Sequence, residues 1–565
     1  MAVELYLIAA VLIGGAALAK VAEEYRFPYP IPLIIAGLIL GQAFTDSILP
    51  EEFGVDFIAQ LTLATVLFYA GLTMNLRETR RARTTIILLA TLGVLLTSLI
   101  SGVTMFFLVP STGIFLVLTL LIGAIVSPTD PAALFSVLES GGVSVKRKLF
   151  TLLEGEAVFN DATAVILVTS VLEPLIVPGL YGEGPLEWYV ILLDFGLSMG
   201  LGVVIAFVVA FSIGRIIHSS GEDTNISILT ATTPILAYGI GEAIAIIIPG
   251  VHPGALSCVF AGIFMANSKM VGISFLPQKS MRMVMKNVSF VFEIAVFILL
   301  GLTLNIAALV ARPDLIIAGL VMGFLVIFFA RPVSVFAVTL GDRSVGIRDR
   351  IVLSWAGVKG VASAALAAIA VSVITDPIHS TDIETLFGLP PGGAQEIGLT
   401  ITSIVFIVIL MSLSIQGLST PILITRLGLV EGKDRAQEIT AERNAVRQSL
   451  LHLVDQYTEG RVDSKLYGLL KMELEEQIFN LEDELKKLVA ERRAKMRELE
   501  IRQNLAQKKL EFYTTEYEAG KISDVTYQDV KLDLDAEIDE IATRLKAASA
   551  SGRKKSDEKP SESGP

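Results

Sequence analysis

Cysteine is nearly absent. Cys258 stands alone in 565 residues, so no internal disulfide can close and no cysteine cluster can hold a metal. Histidine is scarce too: His218, His252, His379 and His452 lie far apart without ligand spacing, and each reads as a loop or interface residue. Charged residues make up only 18% of the chain, against about 25% in soluble proteins. With 53% hydrophobic residues and a mean hydropathy of +0.66, this shortage places the chain among integral membrane proteins. A basic excess is also missing, since the net charge is −12, which excludes a nucleic-acid binder. No nucleophile–base pair, phosphate loop or nucleotide fingerprint is visible, so neither an enzyme nor a resident cofactor is expected.

What remains divides near Glu431. Residues 1–430 hold almost every apolar run and carry 21 basic against 28 acidic residues; 431–565 is dense in charge, with 24 against 29. The opening "MAVELYLIAAVLIGGAALAK" has no basic leader region and reads as a first membrane helix rather than a cleaved signal. Thirteen apolar stretches of spanning length follow the pattern of an all-α polytopic membrane protein, centred near residues 12, 38, 65, 95, 125, 160, 202, 237, 260, 295, 326, 362 and 411. Alternate connectors hold 17 Lys and Arg residues, among them Arg77, Arg80, Arg81 and Arg83, whereas the opposite set holds only Arg312. Basic residues collect in the cytoplasm, so the N-terminus is expected outside the cell membrane and the charged tail inside.

Two spans carry helix-breaking chemistry at mid-depth. In "LLIGAIVSPTDPAALFSVL", Pro128 and Pro131 bracket Thr129 and Asp130; in "SWAGVKGVASAALAA", Gly357 and Gly360 flank Lys359. Unwound backbone at membrane depth is tolerated only against protein or a water-filled cavity, and paired interruptions point to a transporter site. "AGLTMNL" at 70–76 recurs as "LGLTLNI" at 300–306, an offset of 230 that also carries Asp130 onto Gly360. Seven spans separate the copies, an odd number, so they run in opposite senses: an inverted-topology repeat.

Ionisable residues at depth are expensive and concentrate here: Asp130, Glu154, Glu156, Asp161, Glu293, Arg331 and Lys359. At 100° per residue Glu154 and Asp161 share one helix face, while Glu156 and Asn160 share another. Arg331 is the expected partner of Glu156, as a buried structural pair. Asp130 can also be read as a cap on the second half of its own helix, and Lys359 as neutralising the carbonyl end of its own. Asp161, with no basic residue within a turn on its helix, is the group hardest to explain structurally. Glu154 and Glu293 have no assigned role.

"SPTDP" in one broken helix, "GEAVFND" in the next and a glycine-flanked lysine late in the membrane part together resemble the monovalent cation/proton antiporter superfamily. The Asn160–Asp161 pair is similar to the branch of NhaP-type archaeal antiporters and eukaryotic sodium/proton exchangers. The resemblance covers about residues 1–430. It implies two crossed broken helices, a dimer-forming domain and a mobile six-helix core working by alternating access of the elevator kind. It implies a homodimer in the lipid bilayer that exchanges Na⁺ or Li⁺ for protons at Asp161, with Na⁺ held by Asp130 and Asp161 and helped by Thr129. Asn160, standing where an electrogenic branch carries aspartate, implies one-for-one electroneutral exchange. Glu156 and Arg331 take the place of the family's buried ion pair. Two departures are plain: Ala157 stands where relatives often place a serine ligand, and the third span offers Thr73 and Asn75 in place of an acidic residue. K⁺/H⁺ exchange is therefore the alternative, and a tail-gated cation channel a more distant one.

The tail, 431–550, repeats itself at an offset of 60: "YTEGRVDSKLYGLLKMELEEQI" from Tyr457 and "YEAGKISDVTYQDVKLDLDAEI" from Tyr517. Gly460 and Gly520 read as helix C-caps and Asp463 or Ser523 as the next N-caps, giving paired helical hairpins or a coiled bundle. Residues 551–565 are expected to be disordered. No tail ligand or partner can be named.

Overall fold

The structure, a computed structural model, describes residues 2–43, 55–108, 115–130, 145–177, 188–268, 276–430 and 435–523 apart from 26, 81, 221–222 and 520, with isolated positions in 134–138 and 527–538. The expectations for Pro131, Gly520 and the 551–565 terminus lie outside these residues. The chain forms two compact units, Met1–Val430 and Glu431–Pro565.

The first unit is helical, and β-structure among the described residues is one bridge between Val145 and Val430. Its helices are α1 (Ala2–Glu24), α2 (Pro30–Ala43), α3 (Val55–Thr73), α4 (Leu76–Thr79), α5 (Arg83–Leu108), α6 (Leu116–Ile125), α7 (Arg147–Ile176), α8 (Trp188–Ser220), α9 (Asp223–Ile247), α10 (Gly254–Ala266), α11 (Gln278–Leu302), α12 (Ile306–Ala311), α13 (Pro313–Thr339), α14 (Ile347–Trp355), α15 (Val361–Thr375), α16 (Pro377–Phe387) and α17 (Gly393–Arg426). Among the described residues, eight of them are long and apolar enough to cross a membrane; α15 and α16, bent by 81°, make a ninth, and four shorter apolar helices complete the series. Each of the thirteen spans read from the sequence thus contains a helix.

The spans sort into two groups by packing. Helices α1, α2, α3, α8, α9, α10 and α11 lie against one another, and α5, α6, α7, α13, α15 and α17 form the other group. The inverted repeat is visible in how the first group closes. A Cβ on Gly71 of α3 would stand 2.2 Å from the Val259 carbonyl oxygen of α10, and one on Gly301 of α11 would stand 2.1 Å from that of Ile34 on α2. Glycine at both positions, 230 residues apart, lets helix backbones touch, which is how membrane helices gain dispersion energy without a hydrophobic drive between them. The repeated "GLT-x-N" then does the same thing twice: α3 and α11 stop, and Asn75 and Asn305 accept from the backbone N–H of Arg77 and Ala308 to start the short helices α4 and α12.

The second group has a feature the sequence conceals. Single π-helical stretches interrupt α5 at Leu89–Gly93, α7 at Leu167–Leu172, α13 at Val326–Ala330 and α17 at Leu413–Gly417. Spans 4 and 11, and spans 6 and 13, are repeat mates, so the wide turns obey the same symmetry. Such turns cluster at functional sites.

The second unit pairs α18 (Arg435–Thr458) with α19 (Ser464–Glu518), a helix about 80 Å long at 1.5 Å per residue. Gly460 takes φ +72° and Asp463 accepts from Leu466 N–H, the C-cap and N-cap expected at this turn. Tyr457 stacks on Tyr467 with ring centres 4.1 Å apart, and Tyr517 on Tyr527 at 4.4 Å, so the two halves of the 60-residue repeat build the same aromatic hinge.

Candidate functional site

Both sequence breaks are real interruptions, and they meet. Helix α6 ends at Ile125 and the chain is unwound through Asp130; α14 ends at Trp355 and is unwound from Gly357 to Gly360 before α15 begins. The crossing is held by the Asp130 N–H, which donates to the Val358 carbonyl at 2.7 Å. A Cβ on Gly360 would lie 1.9 Å from Asp130 Oδ2, so only glycine lets the two strands pass.

Charge compensation runs across the crossing. Asp130 was open to a reading as the cap of its own helix. That helix start lies outside the described residues; across the crossing, Asp130 Oδ2 accepts from Val361 N–H at 3.3 Å, at the first residue of α15. Lys359 was read as neutralising the end of its own helix. Its ammonium instead donates to the carbonyls of Ser127 (2.9 Å) and Pro128 (3.1 Å), beyond the end of α6. Each half of the repeat lends its charge to the other's open end, carboxylate to free N–H groups and ammonium to free carbonyls, as the helix dipole requires. The backbone of Lys359 is pinned by Ser412 Oγ at 2.9 Å, beside the π-helical stretch of α17, and Ser412 in turn bonds Gln416.

Helix α7 crosses this centre and supplies the remaining groups. Asp161 is 7% exposed and Asp130 8%, and Asp130 and Lys359 are the charges acting on Asp161. Its neighbour in sequence, Asn160, donates through Nδ2 to Thr129 Oγ1 at 2.7 Å. The Oδ1 atoms of Asp161 and Asn160 are buried acceptors with no hydrogen-bond partner among the described residues. Unpartnered oxygens and a carboxylate pair suit a hard monovalent cation. Among the described residues no three His, Cys, Asp or Glu side chains gather as a transition-metal site would need.

Glu156, on the face away from Asp161, meets Arg331 at 2.5 Å with both side chains almost wholly buried. Arg331 also donates to the Leu353 carbonyl near the end of α14 at 3.5 Å, so the pair ties α7, α13 and α14 together behind the crossing. Ala157 is buried beside it. Thr73 donates its hydroxyl to the Ala70 carbonyl at 2.8 Å on its own helix, whereas Asn75 is spent capping α4 and stands exposed, so it joins no buried site. Sequence reasoning named one further group without placing it. Glu293 on α11 accepts from the Tyr29 hydroxyl at 2.5 Å and lies within electrostatic reach of Asp130. Its signal was a lone carboxylate within an apolar span.

Residues 8–426 match the family described as sodium/hydrogen exchanger, transmembrane. The chain belongs to that family. As a sodium/hydrogen exchanger family member it is a multi-pass membrane protein. It is 28% identical over 404 residues to the K(+)/H(+) antiporter NhaP2 of Shewanella sp. (strain ANA-3), a match covering 71% of this chain and 63% of that protein. The chain thus spans less than two thirds of that relative. It is 26% identical over 459 residues to the Na(+)/H(+) antiporter ApNhaP of Aphanothece halophytica, covering 79% of each. It is 25% identical over 537 residues, 92% of each, to the low-affinity Na(+)/H(+) antiporter NhaS1 of Synechocystis sp.. The fold of this family member is shared with the sodium proton antiporter MjNhaP1 from Methanocaldococcus jannaschii, at a TM-score of 0.65 and 22% identity over 75% of this chain and 98% of that one.

Proposed function

We propose that the protein exchanges Na⁺ or Li⁺ for H⁺ across the cell membrane, one for one, by letting proton and cation compete for Asp161. The observation that carries this reading is the Asp161 carboxylate itself, buried at the crossing of two broken helices beside Asp130 and with an unpartnered oxygen. Asp130, the Thr129 hydroxyl and the Asn160 amide oxygen complete the cation's ligands. With a neutral amide at 160, the site carries the same charge whether loaded with a proton or a cation. The empty anionic form is costly to move through a low-dielectric interface, and that cost prevents leak. No covalent step is involved, so the protein is a transporter and not an enzyme.

The moving element is the group of α5, α6, α7, α13, α14–α15 and α17, carrying the site past α1–α3 and α8–α11, which stay in the membrane and form the homodimer contact. The N-terminus lies outside and residues 431–565 in the cytoplasm. The second reading is K⁺/H⁺ exchange: NhaP2 relatives bear that activity in their name, and Ala157 removes a hydroxyl ligand that a small ion would use. Proton flux in proteoliposomes on adding Na⁺, Li⁺ or K⁺ separately tests both. Flux driven by Na⁺ and Li⁺ supports the first, flux driven by K⁺ alone the second, and no flux with any of them removes both.

A further inference from the structure

The exchange reading uses Asp130 and Asp161 but leaves a third buried carboxylate idle. Glu293 sits on α11, in "FVFEIAVFILLGL", 6% exposed, on the group of helices opposite the broken ones. An ionisable side chain at such depth needs either a partner of opposite charge or a task. Among the described residues no cation pairs with it. What it has is a built seat. Tyr29 donates its hydroxyl to Oε2 at 2.5 Å, and the Tyr29 ring is gripped edge-on by Phe290 (5.8 Å between centres) and Phe297 (6.4 Å). These phenylalanines precede and follow Glu293 by three and four residues, so all three share one face of α11. The clamp fixes the phenol, and the phenol fixes the carboxyl.

Glu293 lies near the crossing. Helix α11 packs on α15 and on α17, and Asp130 acts electrostatically on both Glu293 and Tyr29. The other elements around it bring no competing charge to this level. Helices α2 and α15 have no ionisable residue; α1 carries Glu4, Tyr6, Lys20, Glu23 and Glu24, and α17 Glu396 and Arg426, all near their ends. On α3, Asp56 lies in the first turn and Tyr69 faces Arg282; on α9, Tyr238 and Glu242 face Cys258, Glu173 and His252.

We propose, resting on the exchange reading above, that Glu293 is a third acidic determinant of the ion site, a fixed charge on the opposite wall that sets how tightly the Asp130–Asp161 centre holds a monovalent cation. Ionised, it deepens the negative potential where a cation approaches Asp161; protonated, it withdraws that help. Because Glu293 belongs to the opposite group of helices, its influence is strongest only where the site stands against α11. The carboxylate thereby favours cation loading on one side of the cycle and release on the other. Tyr29 is a positioning residue that keeps the carboxyl aimed at the crossing.

The test uses full-length protein in liposomes, reading half-saturation for Na⁺, Li⁺ and K⁺ from pH 6 to 9, with thermal midpoints measured alongside. Glu293→Gln, which keeps shape and removes charge, is expected to raise the cation half-saturation about five- to tenfold and to move the pH profile. Glu293→Asp should recover part of the affinity, and Tyr29→Phe should give a smaller shift of the same sign. If Glu293→Gln and Tyr29→Phe lower only the thermal midpoint, leaving half-saturation and pH profile as in the wild type, the pair is a helix clamp and the proposal is overturned. Wild-type protein without cation-driven flux would instead overturn the exchange reading beneath it.

Discussion

The ammonium of Lys359 donates to the carbonyls of Ser127 and Pro128, while the Asp130 carboxylate accepts from Val361, so each broken helix is finished by a residue of the other. The crossing is one electrostatic unit. Lys359→Met should therefore strand two buried carbonyls at once and cost about 2–5 kcal/mol. The expected result is a thermal midpoint in detergent lowered by many degrees even in the absence of transported ions. A midpoint unchanged from the wild type would mean the carbonyls find other donors.

Gly360→Ala tests the crossing sterically. The new methyl would fall 2.5 Å from Asp130 Cβ and closer still to its carboxylate. Asp130 must move away or the strands must part. Cation-driven proton flux is expected to fall at least about tenfold, the factor that accompanies about 1.4 kcal/mol of lost stabilisation. Gly341→Ala, where no atom lies within 4 Å, is the control and should transport normally.

Much of this arrangement was legible in the sequence. The span positions follow from apolar run length, and the breaks at Pro128 and Gly357–Gly360 from backbone chemistry. The repeat follows from "GLT-x-N", and the Glu156–Arg331 pair from the cost of leaving either alone. What was not legible is which partner each charge takes. Lys359 lies beside its own helix end in the chain, so local reasoning assigned it there. Only the three-dimensional crossing brings in the other helix. The π-helical stretches leave no compositional mark, since a single extra residue per turn does not disturb an apolar run. Glu293 was visible but unplaceable, because its partner Tyr29 lies 264 residues away.

The Glu156–Arg331 pair predicts a non-additive cycle. Removing one partner leaves a buried charge, and Glu156→Ala or Arg331→Met should each cost about 3–5 kcal/mol. The double variant should recover much of that loss, because two apolar side chains in the same space leave no charge unpaired. Thermal midpoints of the four proteins measure it. Simple addition of the two single effects would show that the pair does not act as a unit.

At the other end of α9, the turn after Gly250 holds His252 with Nδ1 3.2 Å from Glu242. Burial opposes its charged form. The hydrogen bond and charge of Glu242, with Glu173 and Asp194 beyond, outweigh burial and hold the imidazole above its ordinary value of 6.5. A raised value in the folded state means protonation favours folding. Its contribution is complete below about pH 6.5 and fades as pH climbs through the folded value. His252→Gln should flatten the fall of the thermal midpoint as pH rises above 6.5. An equal fall in both proteins would exclude His252 as its source.

The central claim is that proton and cation take turns on Asp161. It is tested most directly by measuring the half-saturation for Na⁺ in proteoliposomes as a function of pH, with Asp161→Asn as the silent control. Competition predicts that half-saturation rises about tenfold for each unit of pH lowered through the carboxylate's titration while the maximal rate holds. A half-saturation that stays fixed while the rate alone falls, or flux that survives in Asp161→Asn, would contradict it.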